Sequence, residues 1–325
     1  MEKLTLNSVE ITSNEILSEK TPERLCQTEL SLTQIRSFVN FCEEKECKNE
    51  YGAYEVFITD VPEQDKEKAI DATFLEKTNI EGLSHFSDRS FEHIRYFAKE
   101  EKSDDEISSS IYGRLYISPS VENTPVLMQK IVEQHYKNNR DLACKFSRTG
   151  ARNDRIVIYL TEDFGDEIDM MKEIRKDSPE LFTSCNKNKL WCNIEGLDDI
   201  YFGAEPPNKA FSYGEDRAII IGEIFSLKKE NLVDIDNDKE LDGLFKLECL
   251  KREVNPFNFG FYINDDTIRS AANDVLYGYS DEEFRQEEEY LESKALVDDW
   301  LEKNARLSDG SWLGDDVPKF NSDDL

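Results

Sequence analysis

The sequence predicts an α+β fold, an antiparallel-rich sheet with flanking helices, on three observations. Apolar residues recur at three- and four-residue spacing in several long segments, which marks amphipathic helices. Short segments in the middle of the chain alternate apolar and polar residues, which marks strands with one face on a core. Two of those strands are separated by TGARND, whose Gly150 and Asn153 suit a hairpin loop and therefore antiparallel pairing. Helices first, then strands mixed with helices, is an α+β order.

Residues 30–47, LSLTQIRSFVNFCEEKEC, line up Leu32, Ile35, Val39 and Cys42 on one helical face. The polar stretch 60–110 is expected to hold a helix at FEHIRYFAKEE and an acidic loop at KSDDEISSS. YGRLYIS then alternates as a half-buried strand, with Leu115 and Ile117 opposed to Arg114 and Tyr116. PSVENTPVLMQKIVEQHYKNN is a helix beginning near Thr124 or Pro125. DLACKFSR and RIVIYL are the hairpin strands, and FGDEIDMMKEIRKD is a helix that ends before Ser178-Pro179. Loops and short strands are expected over 183–211. Two further helices are expected at SYGEDRAIIIGEIFSLKKENL, with Ile220, Ile224 and Leu227 on its apolar side, and at DKELDGLFKLECLKREV. A strand or turn should end NPFNFGFYIN. From Asp281 acidic residues dominate; Tyr290, Leu291, Leu296, Val297 and Trp300 offer a docking face, and the last residues read as loosely ordered. The expected organisation is a mostly helical region over 1–108, a core over 109–280 and an acidic tail over 281–325.

The chain of 325 residues carries a formal net charge of -30 with 38% hydrophobic residues. That length buries a core. The charge repels nucleic-acid phosphates and anionic membrane surfaces and would attract a basic partner. No run of apolar residues is long enough to span a membrane. The first residues lack the basic and apolar regions of a secretory signal, so a cytoplasmic location is expected. Seven cysteines, Cys26, Cys42, Cys47, Cys144, Cys185, Cys192 and Cys249, fit reduced core thiols better than a disulfide framework. Neither they nor His85, His93 and His135 show metal-ligand spacing, and there is no Walker-type loop or GxGxxG, so no metal or cofactor is expected.

One window departs from the acidic background. Between Lys137 and Arg155 the basic residues Lys137, Arg140, Lys145, Arg148, Arg152 and Arg155 stand against only Asp141 and Asp154. Strand alternation separates Leu142, Cys144, Phe146, Ile156, Ile158 and Leu160 from the opposite face. If the apolar faces share one core, Arg114, Tyr116, Lys145, Arg155 and Tyr159 share the other face, with Arg148 and Arg152 at the hairpin rim. Guanidinium forks, an ammonium and phenol hydroxyls suit a phosphate. Residue types alone favour an ordinary outer sheet face whose bases pair with the many carboxylates, because charged outer faces are common in antiparallel sheets.

The segments YGRLYIS, CKFSRTGARNDRIVIYL, FGAEPP, SYGEDR and FGFYIN, in this order, resemble the HopA-type effector family over residues 110–265. That family includes plant-pathogen type III effectors and the lyase proteins of ribosomal-peptide clusters that make class V lanthipeptides and thioviridamide-like peptides. It is distantly similar to the phosphothreonine lyases of enteric pathogens. The resemblance implies a phosphothreonine-lyase-like core and β-elimination of phosphate from phosphoserine or phosphothreonine, leaving dehydroalanine or dehydrobutyrine. The implied partners are a phosphorylated precursor peptide and a separate kinase similar to aminoglycoside phosphotransferases.

Lys145 matches the family lysine that acts as base. Arg114, Arg148, Arg152 and Arg155 are the implied phosphate ligands, with Tyr159 and Tyr213 in support. Arg217 in SYGEDR stands where the family pattern is SFG-x-x-R, with Tyr213 in place of Phe, and a phosphate contact is again implied. The enteric lyases carry a proton-donating histidine on the strand aligned with YGRLYIS. Here Tyr116 occupies that strand as the candidate proton donor, the alternative being phosphate that leaves without an acid while clamped by arginine, and His135, on the next helix, is expected at the surface. The alternative implied by the same resemblance is an effector or interaction protein that binds a chaperone or host partner without lyase activity.

Overall fold

The computed structural model describes residues 21–26, 30–99, 102–161, 163–182, 190–207, 211–280 and 288–305. Helices α1 (Pro22–Leu25), α2 (Leu32–Glu44), α3 (Glu50–Ile58), α4 (Glu63–Lys66) and α5 (Thr73–Lys77) come first. A hairpin of β1 (Leu83–Ser87) and β2 (Phe91–Tyr96) follows, then α6 (Asp104–Ser110), β3 (Gly113–Ile117), α7 (Asn123–Lys137), β4 (Leu142–Ser147), β5 (Ile156–Leu160) and α8 (Phe164–Asp177). Strands β6 (Cys192–Ile194) and β7 (Leu197–Ala204) and helices α9 (Tyr213–Lys229), α10 (Asp238–Lys251), α11 (Asp266–Ser280) and α12 (Glu288–Ala305) follow. The fold is α+β, as the sequence predicts. Among the described residues one sheet has seven strands in the order β1-β2-β4-β5-β3-β7-β6, every pair antiparallel.

The apolar faces of the strands do share one core. Ile94, Leu115, Ile117, Leu142, Cys144, Phe146, Ile156, Ile158, Leu160 and Phe202 pack with Leu127, Met128 and Ile131 of α7 and Ile168, Met171 and Ile174 of α8. A second core joins Ile35, Phe38 and Val39 of α2, Ala53 and Phe57 of α3, Ala218, Ile221 and Ile224 of α9 and Leu241 and Phe245 of α10. Helix α9 is therefore buried on nearly every side rather than along the single stripe of Ile220, Ile224 and Leu227. A third cluster ties α11 to α12. Capping boxes start α2 at Ser31 with Gln34, and α9 at Ser212 with Glu215.

Several expectations need correction. FEHIRYFAKEE is not a helix: β2 runs Phe91–Tyr96 between β1 and β4. Its Glu92, Ile94 and Tyr96 are buried while His93 and Arg95 are half-buried, a period of two in residues that also favour helices. KSDDEISSS is not a loop, because Ser103 and Glu106 form a capping box that opens α6. YGRLYIS is buried on both sides rather than half-buried. His135 is 1% exposed, not a surface residue; its Nδ1 lies 2.9 Å from the Ile131 carbonyl and its Nε2 3.3 Å from Glu167.

Hydrogen bonding also runs across the boundary placed at 108/109, since β1 and β2 belong to the same sheet as β3. In the tail, α12 docks Tyr290 and Val297 as expected, with Trp300 against Phe257, while Leu291 and Leu296 stay exposed. The final residues, like Cys185, lie outside the described residues. The described cysteines are buried, and none is in a disulfide with another described residue. Among the described residues no helix is long and apolar enough to cross a membrane, and no group of three or more metal-ligating side chains is gathered.

Candidate functional site

The registers build the second face of the sheet row by row. His93 opposes Lys145, Lys145 opposes Val157, Val157 opposes Tyr116, and Tyr116 opposes Tyr201. One row along, Ala143, Tyr159, Arg114 and Gly203 are aligned. Directly opposed residues of an antiparallel pair point to the same side, so Arg114, Tyr116, Lys145 and Tyr159 share one face, as alternation predicts. A second layer covers much of that face. Trp191 stacks on Tyr116 at 4.2 Å and 9°, and the Tyr213 ring lies where a Cβ on Gly203 would fall within 2.6 Å of it. Glycine at 203 is thus what lets the start of α9 reach the sheet.

Lys145 is the central cation. It is partly buried, its Nζ lies 4.0 Å from the centroid of the Phe91 ring, and among the described residues no carboxylate is within ion-pair distance. Burial pushes its ammonium below the ordinary lysine value; Asp154 opposes that shift, and Arg114 and Arg152 reinforce it. The arginines beside it are each held by a carboxylate. Arg152 donates Nε and Nη2 to Asp154 at 2.7 and 2.9 Å, and its guanidinium lies 5.0 Å from the same Phe91 ring. Arg114 donates Nε and Nη2 to Glu205 at 2.8 Å each and lies over the Tyr159 ring at 5.3 Å. Burial costs both guanidiniums, yet the facing groups hold both above the ordinary arginine value. In each fork Nη1 makes no hydrogen bond to a described residue, so one donor edge per arginine is uncommitted. Burial also raises the Tyr116 and Tyr159 hydroxyls, which stay protonated donors.

No protein-family model matches the sequence, and no curated protein matches it. The fold, however, has solved likenesses. An effector protein from Pseudomonas syringae pv. tomato strain DC3000 aligns with a TM-score of 0.51 at 12% identity, over 71% of this chain and 98% of its own. An effector protein from P. syringae pv. syringae strain 61 aligns with a TM-score of 0.46 at 14% identity, over 73% of this chain and 99% of its own. At such identities the likeness concerns the fold alone.

Three of the arginines expected at the phosphate stand elsewhere. Arg155 is 1% exposed and donates to the carbonyls of Pro119 and Gly150 and to Asp65. It ties the hairpin loop to the α4 segment. Arg217 is fully buried between the rings of Tyr213 and Tyr262, 4.3 and 4.2 Å from their centroids, and donates to the carbonyls of Phe259 and Phe261. Arg148 is half exposed just past the end of β4, bonded to Glu92 and the Asp88 carbonyl. Tyr213 itself is a buried pillar whose hydroxyl donates to the Leu190 carbonyl.

The structure adds groups that the sequence did not single out. His93 faces Lys145 across the β2–β4 pair, its Nε2 2.7 Å from Asp88 and its ring stacked on Phe86. Recognising FEHIRY as a strand would have exposed it. Glu205 lies in FGAEPP, and Asp154 inside the hairpin loop. Tyr54 arrives from α3, with no sequence signal to mark it.

Proposed function

We propose that this face binds a phosphorylated serine or threonine of a peptide and eliminates its phosphate, with Lys145 as the base. The observation that carries the reading is Lys145 itself: a partly buried lysine, outside any ion pair with described residues, whose ammonium is pushed by burial below the ordinary lysine value. In this reading Nζ takes the α-proton, those electrons form the Cα=Cβ bond, and the Cβ–O bond breaks to release phosphate. The uncommitted Nη1 edges of Arg114 and Arg152 hold the leaving phosphate oxygens. Protons for that phosphate are available from Tyr116 and from His93, which Asp88 orients. The substrate would be a precursor peptide phosphorylated by a separate kinase, and the product dehydroalanine or dehydrobutyrine. No cofactor enters this chemistry.

A second reading, an effector or interaction protein without lyase activity, also has a specific observation in its favour. Asp154 and Glu205 already neutralise Arg152 and Arg114, so the face offers less net positive charge than its arginine count implies. Incubation with a phosphothreonine peptide and mass spectrometry separates the two. Loss of phosphoric acid by the wild type, abolished in Lys145→Ala, supports the lyase. Tight binding without loss from any phosphopeptide supports the second reading. Comparing Tyr116→Phe with His93→Gln then assigns the proton donor.

A further inference from the structure

We infer that helix α3, which lies outside the segment resembling known lyases, completes this site: Tyr54 and the C-terminal carbonyls of α3 position the 148–155 loop so that Arg152 stands beside Lys145. Its consequence for substrate binding rests on the lyase reading, while the positioning itself rests on geometry. A helix leaves its last carbonyls without intrahelical donors. At the end of α3 the loop supplies them. The Asn153 N–H donates to the Ile58 carbonyl at 2.7 Å, and Asn153 Nδ2 donates to the carbonyls of Phe57 and Asp60 at 3.0 Å each. Asn153 is 5% exposed, and its own carbonyl accepts from Ser118 beyond the end of β3. One loop residue therefore caps α3 and locks the loop against the sheet.

Its neighbour Arg152 is gripped by the same helix. Arg152 Nη2 donates to the Tyr54 hydroxyl at 3.4 Å. With Asp154 on the fork and the Phe91 ring beside it, the guanidinium is fixed from three directions. Tyr54 in turn rests on Gly214, where a Cβ would approach its Cε2 to 3.1 Å, so the start of α9 sets the height of the ring. Burial pushes the Tyr54 hydroxyl up to about 12, and it stays a neutral partner to the arginine across the physiological range. The chain order is Tyr54 first and Arg152 nearly a hundred residues later. A fragment beginning at the core would hold every residue implied by the family resemblance and still lack this support. Tyr54 acts through Arg152 and is a positioning residue.

Tyr54→Phe in the full chain tests this, because it keeps the ring and removes only the hydroxyl. The probes are a phosphothreonine peptide, its unphosphorylated twin, and the NMR exchange rate of the Arg152 Nε–H with water. The expected result is a melting temperature within about 2 °C of the wild type, faster Arg152 Nε–H exchange, and affinity for the phosphorylated peptide lower by roughly three- to tenfold, the net worth of one ordinary hydrogen bond. Affinity for the unphosphorylated peptide should not move. Exchange and phosphopeptide affinity both equal to wild type would overturn the proposal. A wild type that binds no phosphopeptide would sink the lyase reading, and the exchange rate alone would then decide whether Tyr54 positions Arg152.

Discussion

Arg155→Ala should unfold the protein more easily without acting through any ligand. The side chain is 1% exposed, and its guanidinium serves the carbonyls of Pro119 and Gly150 and the carboxylate of Asp65. Alanine leaves two buried acceptors without their donor and leaves Asp65 with Lys68 as its remaining partner. Two unsatisfied buried carbonyls at about 1–3 kcal/mol each put the cost at about 3–5 kcal/mol. Unfolding entropy near 2.1 cal/mol/K per residue gives about 0.7 kcal/mol/K for a chain of this length, so the melting temperature should fall by roughly 4–7 °C if the protein melts as one unit. Calorimetry of the variant beside Arg148→Ala checks this. Arg148 is half exposed and makes one ion pair, to the buried Glu92, whereas Arg155 is itself buried and serves three acceptors. Arg155→Ala should therefore melt earlier than Arg148→Ala. If Arg155→Ala melts like the wild type and instead loses phosphopeptide binding, the guanidinium faces a ligand and the structural assignment is wrong.

Other perturbations give equally definite outcomes. Gly150→Ala places a Cβ 2.2 Å from the Asp65 carbonyl oxygen and 2.6 Å from Val121, so the loop or the α4 segment must shift; urea denaturation should show a loss of about 1–3 kcal/mol. Lys145→Met should stabilise the fold at neutral pH. The folded-state value of Lys145 is depressed, so below it the fold carries a charged, desolvated ammonium, and that penalty fades as pH rises toward the ordinary lysine value of about 10.4. Melting curves in which the gain grows with pH would contradict that sign. Asp88 is lowered to about 2 by its hydrogen bonds to His93 and to the Ser90 and Phe91 amides. Its contribution is present above the ordinary aspartate value of about 3.9 and is lost as pH falls toward about 2; Asp88→Asn should flatten acid unfolding over that window.

Period-two alternation made the centre of the sheet legible. It separated Leu115, Ile117, Cys144, Phe146, Ile156 and Ile158 from Arg114, Tyr116, Lys145 and Tyr159, and the structure keeps that division. Alternation says nothing about what lies above a face. The sequence could not show that Trp191, Tyr213 and α3 cover it, because those contacts join residues far apart in the chain. For the same reason it overcounted phosphate ligands: Arg155 and Arg217 look like their neighbours in type, and only their burial against carbonyls sets them apart. The helix expected at FEHIRYFAKEE failed because Glu, Arg, Ala and Lys favour helices while the sheet position decides. That error concealed His93, the imidazole opposite Lys145. Neither α3, inside the region expected to be mostly helical, nor α11 was placed as an element of its own, and with α3 went Tyr54 and the cap that Asn153 supplies.

The strand order has a consequence for how the chain is made. Strand β3 sits between β5 and β7, so it has no partner when it leaves the ribosome. The nearer one, β5, begins about forty residues later, a delay of roughly 2–8 s at ordinary elongation rates. During that interval β3 has two open edges and an apolar side carrying Leu115 and Ile117. Helix α7 is the next element synthesised, and its Leu127, Met128 and Ile131 belong to the core that those side chains join. The nascent chain thus carries its own cover for the most vulnerable strand, and slowing synthesis between residues 117 and 156 would lengthen the time for which that cover alone prevents misassembly.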